Sequence, residues 1–122
     1  MNKVLSNYLF IYSSLRKGFH NASYNYITKY FSFVSMAKVR GVEKNINGKL
    51  FGTPGGSDSY INGELYKLND EHDFSFVLGQ LDDYEGLDVE EGEVPMYRRE
   101  LTSVYKDDGE VTNAWIYWYN RT

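Results

Sequence analysis

The spacing of apolar and polar positions changes several times along this chain, and each change marks an element. Tyr8-Leu9-Phe10-Ile11-Tyr12 is continuously apolar or aromatic, stops at Ser13 and Ser14, and turns basic at Arg16-Lys17-Gly18. The run predicts a buried strand that empties into a loop. Backbone N–H groups there have no strand partner and are open to an anion or a carbonyl oxygen. From Asn21, a candidate N-cap, to Tyr30, residues Ala22, Tyr26, Ile27 and Tyr30 fall at helical spacing. Phe33 to Val42 alternates as a strand, with Val34, Met36 and Lys38 on one face and Phe33, Ser35, Ala37 and Val39 on the other.

Gly48 to Gly52 reads as a short strand entering a breaker-rich loop, Thr53 to Ser59. Tyr60 to Leu68 is the next strand, with Gly63 marking a bulge or a close backbone approach. Asn69 is placed to cap a helix over Asp70 to Asp83, whose Phe74, Val77, Leu78 and Leu81 recur in steps of three and four. Met96 to Tyr105 and Val111 to Tyr119 form a closing hairpin around Lys106-Asp107-Asp108-Gly109. In the last strand Trp115, Tyr117 and Tyr119 share one face, and Ile116 and Trp118 the other. Strands and helices do not alternate as βαβα, so the expected class is α+β with a curved or barrel-like sheet. No linker or repeat divides the 122 residues, and one domain over 1–122 is expected.

Composition narrows the chemistry. Cysteine is absent, which removes disulfides, thiolate nucleophiles and sulfur-ligated metals and fits a reducing cytoplasm. A net charge of −4, with basic residues scattered, argues against nucleic acid or an anionic membrane as the main partner. No stretch approaches the ~20 apolar residues that a membrane-crossing helix needs. The expectation is a soluble cytoplasmic protein. Twelve tyrosines suit strands and a half-wet cavity equally, since the ring packs while the hydroxyl stays polar. They also leave open a carbohydrate-binding platform.

Seven carboxylates crowd residues 82–93: Asp82, Asp83, Glu85, Asp88, Glu90, Glu91 and Glu93. Six of them read as a solvated helix end and loop, and the segment lacks the ordered ligand spacing of a calcium loop. Glu85 differs, because Tyr84 and Gly86 flank it instead of further charge. An aromatic wall disfavours the charged form of a carboxylate and makes it a better proton acceptor. Ser13 and Ser14 lack a G-x-S-x-G elbow, and neither His20 nor His72 suggests a triad. Arg98 can pair with the acidic segment or clamp a substrate carboxylate with both arms of its guanidinium. Most aromatics of the last strand read as core, with Tyr117 assigned to a cavity wall.

Taken together these pieces resemble the γ-glutamylcyclotransferase-like, or AIG2-like, family. Leu9 to Gly18 is similar to the family's F-x-Y-G-[ST]-L-[RK]-x-G signature. Val39-Arg40-Gly41, Gly48 to Phe51, Asn62 to Tyr66, Leu81 to Gly86, Tyr97-Arg98-Arg99 and Ala114 to Tyr117 are similar to its later blocks, in the same order. The resemblance implies a small mixed β-barrel with flanking helices, and cyclisation of a γ-glutamyl group to 5-oxoproline with release of an amine. It implies Glu85 as the catalytic glutamate, the amides around Ser13, Ser14 and Leu15 as the substrate cradle, and Tyr12 as the loop tyrosine. It implies a small-molecule γ-glutamyl substrate and neither metal nor cofactor. Ser13 departs from the pattern, which has glycine there; a side chain at that point fills the cradle or strains it. That departure motivates the alternative of a non-catalytic member that binds a metabolite or a partner protein.

Overall fold

In the computed structural model, which describes residues 6–12, 22–46, 49–55, 58–84, 92–95 and 97–120, the first apolar run becomes β1 (Tyr8–Ile11). It is followed by α1 (Ala22–Tyr30), β2 (Phe31–Arg40), β3 (Val42–Ile46), β4 (Lys49–Thr53) and β5 (Tyr60–Leu68). A 3₁₀ turn (Glu71–Asp73) then leads into α2 (Phe74–Tyr84), and β6 (Tyr97–Lys106) and β7 (Val111–Tyr119) complete the order. Five strands close a barrel in the order β1-β5-β2-β6-β7. The seam is the parallel pairing of β7 with β1, where Leu9 lies opposite Trp115. The α+β barrel predicted from the sequence is the fold observed.

Strand alternation divides the apolar residues between two layers. Phe10, Val39, Ile61, Leu65, Ile116 and Trp118 fill the lumen, as side chains do in a small barrel. Leu9, Ile11, Tyr66, Leu68 and Tyr117 point outward and are covered by Ile27 of α1 and Val77, Leu78 and Leu81 of α2. The helices therefore protect one side of the barrel wall. Gly63 is the close approach expected of it, since a Cβ there would collide with the Ile11 carbonyl oxygen and the Phe10 ring.

Three expectations are corrected. β2 begins at Phe31, directly after α1, because Leu68 of β5 lies opposite Phe31. An irregularity between Phe33 and Ser35 then reverses the side-chain phase. Phe33, expected on the same face as Ala37 and Val39, is instead 52% exposed and meets the Tyr66 ring edge-on, whereas Ala37 and Val39 are buried. β3 was not foreseen; it pairs with β4 as a separate two-stranded sheet. Its sequence, V-E-K-N-I, is too polar to read as a strand.

The cap before α2 is Asp70 rather than Asn69. Asn69 is committed to the strand end, with its N–H bonded to the Tyr30 carbonyl and its side chain accepting from Ser32. Asp70 Oδ1 accepts the His72 N–H at 3.0 Å. That bond holds the Asp70 carboxyl below its ordinary value of 3.8, and the His72 ring adds to it. A depressed folded value gives stability that is complete above the unfolded value and lost as pH falls through the folded one. Asp70→Asn should therefore soften the decline in Tm between about pH 5 and about pH 3. Identical acid branches in melting curves of the two proteins would mean the cap contributes none of that decline.

Candidate active site

The ends of β1 and α2 are tied together by one residue of β7. Tyr12, immediately after β1, turns its ring into the lumen beside Phe10. Its buried hydroxyl donates to the Tyr117 backbone carbonyl at 2.6 Å. The Tyr12 ring also occupies the space a side chain at Gly52 would need, which seats β4 against the barrel. Tyr117 in turn sends its own side chain to the outer face, where the hydroxyl donates to Asp82 Oδ1 at 2.8 Å. Asp82 lies in the last turn of α2. Tyr117 thus spans the barrel wall from Tyr12 to the end of α2.

Asp82 is held from a second side. Arg99 Nε donates to Oδ1 at 2.8 Å and Nη2 to Oδ2 at 3.1 Å, a two-armed pairing that fixes the plane of the carboxylate. The guanidinium lies 4.6 Å from the Trp115 ring centre, on the face that Arg99, Trp115 and Tyr117 share. Both partners are largely shielded, with 21% of the Arg99 and 24% of the Asp82 side chain exposed. With both oxygens engaged, Asp82 is suited to holding geometry, not to accepting a substrate proton. Its place corrects the expectation that it belongs to a solvated acidic helix end.

The sequence-predicted residues divide accordingly. Tyr12 and Tyr117 are brought together. Arg98 is not brought to them: strand alternation turns it to the opposite face from Arg99, where Nε lies 3.2 Å from Glu100 and Nη1 3.2 Å from Asn120. Of the two arginines, Arg99 pairs with the acidic segment. Ser13, Ser14, Leu15 and Glu85 lie outside the described residues.

Sequence reasoning missed Arg99 and Asp82, although a signal was available. The pairing Tyr105 with Val111 that closes the hairpin sets Arg99 opposite Tyr117 six residues on. It also gave no role to Glu64, which pairs in register with Ile11 on the outer wall. Glu64 is 7% exposed and accepts the Tyr66 hydroxyl at 3.1 Å. A carboxylate directly before the apolar pair Leu65-Tyr66 was its only mark. Among the described residues, no group of three or more His, Asp or Glu is placed to hold a metal, and no helix is long and apolar enough to cross a membrane.

A family profile described as "Gamma-glutamyl cyclotransferase, AIG2-like" matches residues 9–122. The Methanocaldococcus jannaschii protein named "Putative gamma-glutamylcyclotransferase MJ1514" is 30% identical over 115 residues, covering 92% of this chain and 83% of its own. The crystal structure of an AIG2-like protein from Mus musculus superposes with a TM-score of 0.65 at 20% identity, over 93% of this chain and 76% of the mouse chain. That of YkqA from Bacillus subtilis gives 0.65 at 23% identity over 97% of this chain, which spans 37% of the Bacillus chain. At these identities the structural likenesses speak for the fold.

Proposed function

Since the chain belongs to the γ-glutamyl cyclotransferase, AIG2-like family, we propose that it cyclises the γ-glutamyl group of a γ-glutamyl amine or small γ-glutamyl peptide. The α-amine attacks the γ-carbonyl carbon, the γ-carbonyl C–N bond breaks, and 5-oxoproline and a free amine leave. No water is consumed and no redox partner is required. Glu85 takes the proton that the α-ammonium must lose and returns it to the departing nitrogen. Amides at Ser13, Ser14 and Leu15 stabilise charge developing on the carbonyl oxygen. Tyr12 and Tyr117 are assigned to substrate binding, and a hydrogen bond joins them. Arg98, engaged elsewhere, is left out of the substrate contacts.

The observation that carries this reading is the bridge through Tyr117. In the sequence, Ser13 to Leu15 follow Tyr12 directly and Glu85 follows Asp82 by three residues; Tyr117 bonds both Tyr12 and Asp82. Ring closure within one molecule depends above all on holding its two ends in register, and a rigid tie between the two supporting segments suits that task. The decisive experiment incubates the protein with a panel of γ-glutamyl amines and dipeptides and measures 5-oxoproline. Turnover on at least one compound is expected. No product from any of them, with γ-glutamyl ligands still binding in a calorimeter, would favour the non-catalytic alternative that Ser13 motivates.

A further inference from the structure

Resting on the cyclotransferase reading, we propose that Arg99 and Asp82 are positioning residues of the reaction. They form a clamp that holds the last turn of α2, the turn that precedes Glu85 in the sequence. Neither is expected to touch substrate.

Three features distinguish this pair from an ordinary surface ion pair. First, its geometry is two-armed, so it fixes an orientation as well as a distance. Second, it is shielded by the Trp115 ring beneath Arg99, which restricts the guanidinium to one plane. Third, the same carboxylate takes the Tyr117 hydroxyl, whose residue also anchors Tyr12. Exposed pairs contribute little because their long side chains are free to wander; here both ends are held.

The position matters as much as the bonds. The last turn of a helix has no following turn to stabilise it, and its free carbonyls make it the part most prone to fray. The clamp ties that turn to two adjacent barrel strands. A displacement of the chain by about 1 Å at this point is enough to cost about 10²-fold in rate for a geometry-limited step.

The test compares wild type with Arg99→Met, Arg99→Lys, Asp82→Asn and the double variant Asp82→Asn/Arg99→Met. The measurements are kcat, KM, Tm and amide hydrogen exchange at residues 81–84. Arg99→Met should lower kcat by about 10²-fold with KM within about two-fold, and speed exchange in that turn. Arg99→Lys keeps the charge without the fork, so it should recover Tm but only part of kcat. The double variant should lose no more kcat than Arg99→Met alone, because one clamp is broken in both.

Unchanged exchange at 81–84, or a kcat that falls only in step with the unfolded fraction, would overturn the proposal. So would full recovery of kcat by lysine, since charge and not orientation would then be at work. An inactive wild type would overturn the cyclotransferase reading and this inference with it, whereas an active wild type with unaffected variants overturns the inference alone.

Discussion

Gly63→Ala is expected to lower the stability of the barrel by about 3 kcal/mol, the upper end of the ordinary cost of overpacking. A Cβ at position 63 would press on the carbonyl oxygen of Ile11 and lie 2.6 Å from the Phe10 ring. The Ile11 oxygen is backbone and cannot rotate away. β1 cannot shift to make room, because it is paired with β5 on one edge and β7 on the other. Ala37 stands opposite Gly63 on β2, so two small residues clear the lumen for the ring of Phe10. For a domain of this size the loss corresponds to a fall in Tm of about 10 °C. Urea unfolding measures it directly. Adding Phe10→Leu relieves the ring collision but not the carbonyl one, and should restore only part of the loss. A change below about 0.5 kcal/mol, the usual scatter for a harmless substitution, would mean that β1 and β5 separate easily and the close approach constrains nothing.

What the sequence disclosed about this fold follows from how local each signal is. β1, β5 and the β6–β7 hairpin were legible because continuous apolar runs and turn residues report burial within a few positions. Gly63 was legible because a glycine inside a strand weakens it and so marks a bulge or a close backbone approach. The buried stripe of α2 was legible through its period, Val77, Leu78 and Leu81 recurring at helical spacing. β3 was hidden because pairing with β4 needs few apolar side chains, although the Asn47-Gly48 dipeptide is a hairpin signal. The phase change at Phe33 depends on one extra residue against β5, which periodicity on a single strand does not reveal. The Asn69 and Asp70 assignments exchanged because Tyr30 and Ser32, nearly forty residues earlier, claim Asn69.

The site divides in the same way. Glu85 and the Ser13–Leu15 loop rest on a resemblance spread across the chain, while Asp82 was taken for one more solvated carboxylate. Its partners lie 17 and 35 residues away. Only the folded wall, with Arg99, Trp115 and Tyr117 on one face, shows why this carboxylate of the acidic run is anchored.

Glu85→Gln is expected to reduce kcat for 5-oxoproline formation by about 10²–10⁴-fold, the usual share of a positioned acid–base group. The amide has nearly the shape of the carboxylate and keeps one acceptor oxygen, so substrate should still bind and KM should change little. What it lacks is basicity. An α-ammonium has no lone pair until its proton is taken, and glutamine cannot take it. Residual turnover is expected even so, because folding the substrate onto itself contributes independently of the proton transfer. Glu85→Asp separates basicity from reach: the carboxylate is retained but withdrawn by one methylene, so its kcat should fall between wild type and Glu85→Gln. Steady-state kinetics with 5-oxoproline detection distinguishes the cases. Full turnover in Glu85→Gln would remove Glu85 from the proton path whatever the family pattern implies. Glu64, the buried carboxylate in register with Ile11, would then be the next group to replace. A raised KM with kcat intact would instead make Glu85 a binding group for the substrate ammonium, and proton transfer would have to pass to solvent.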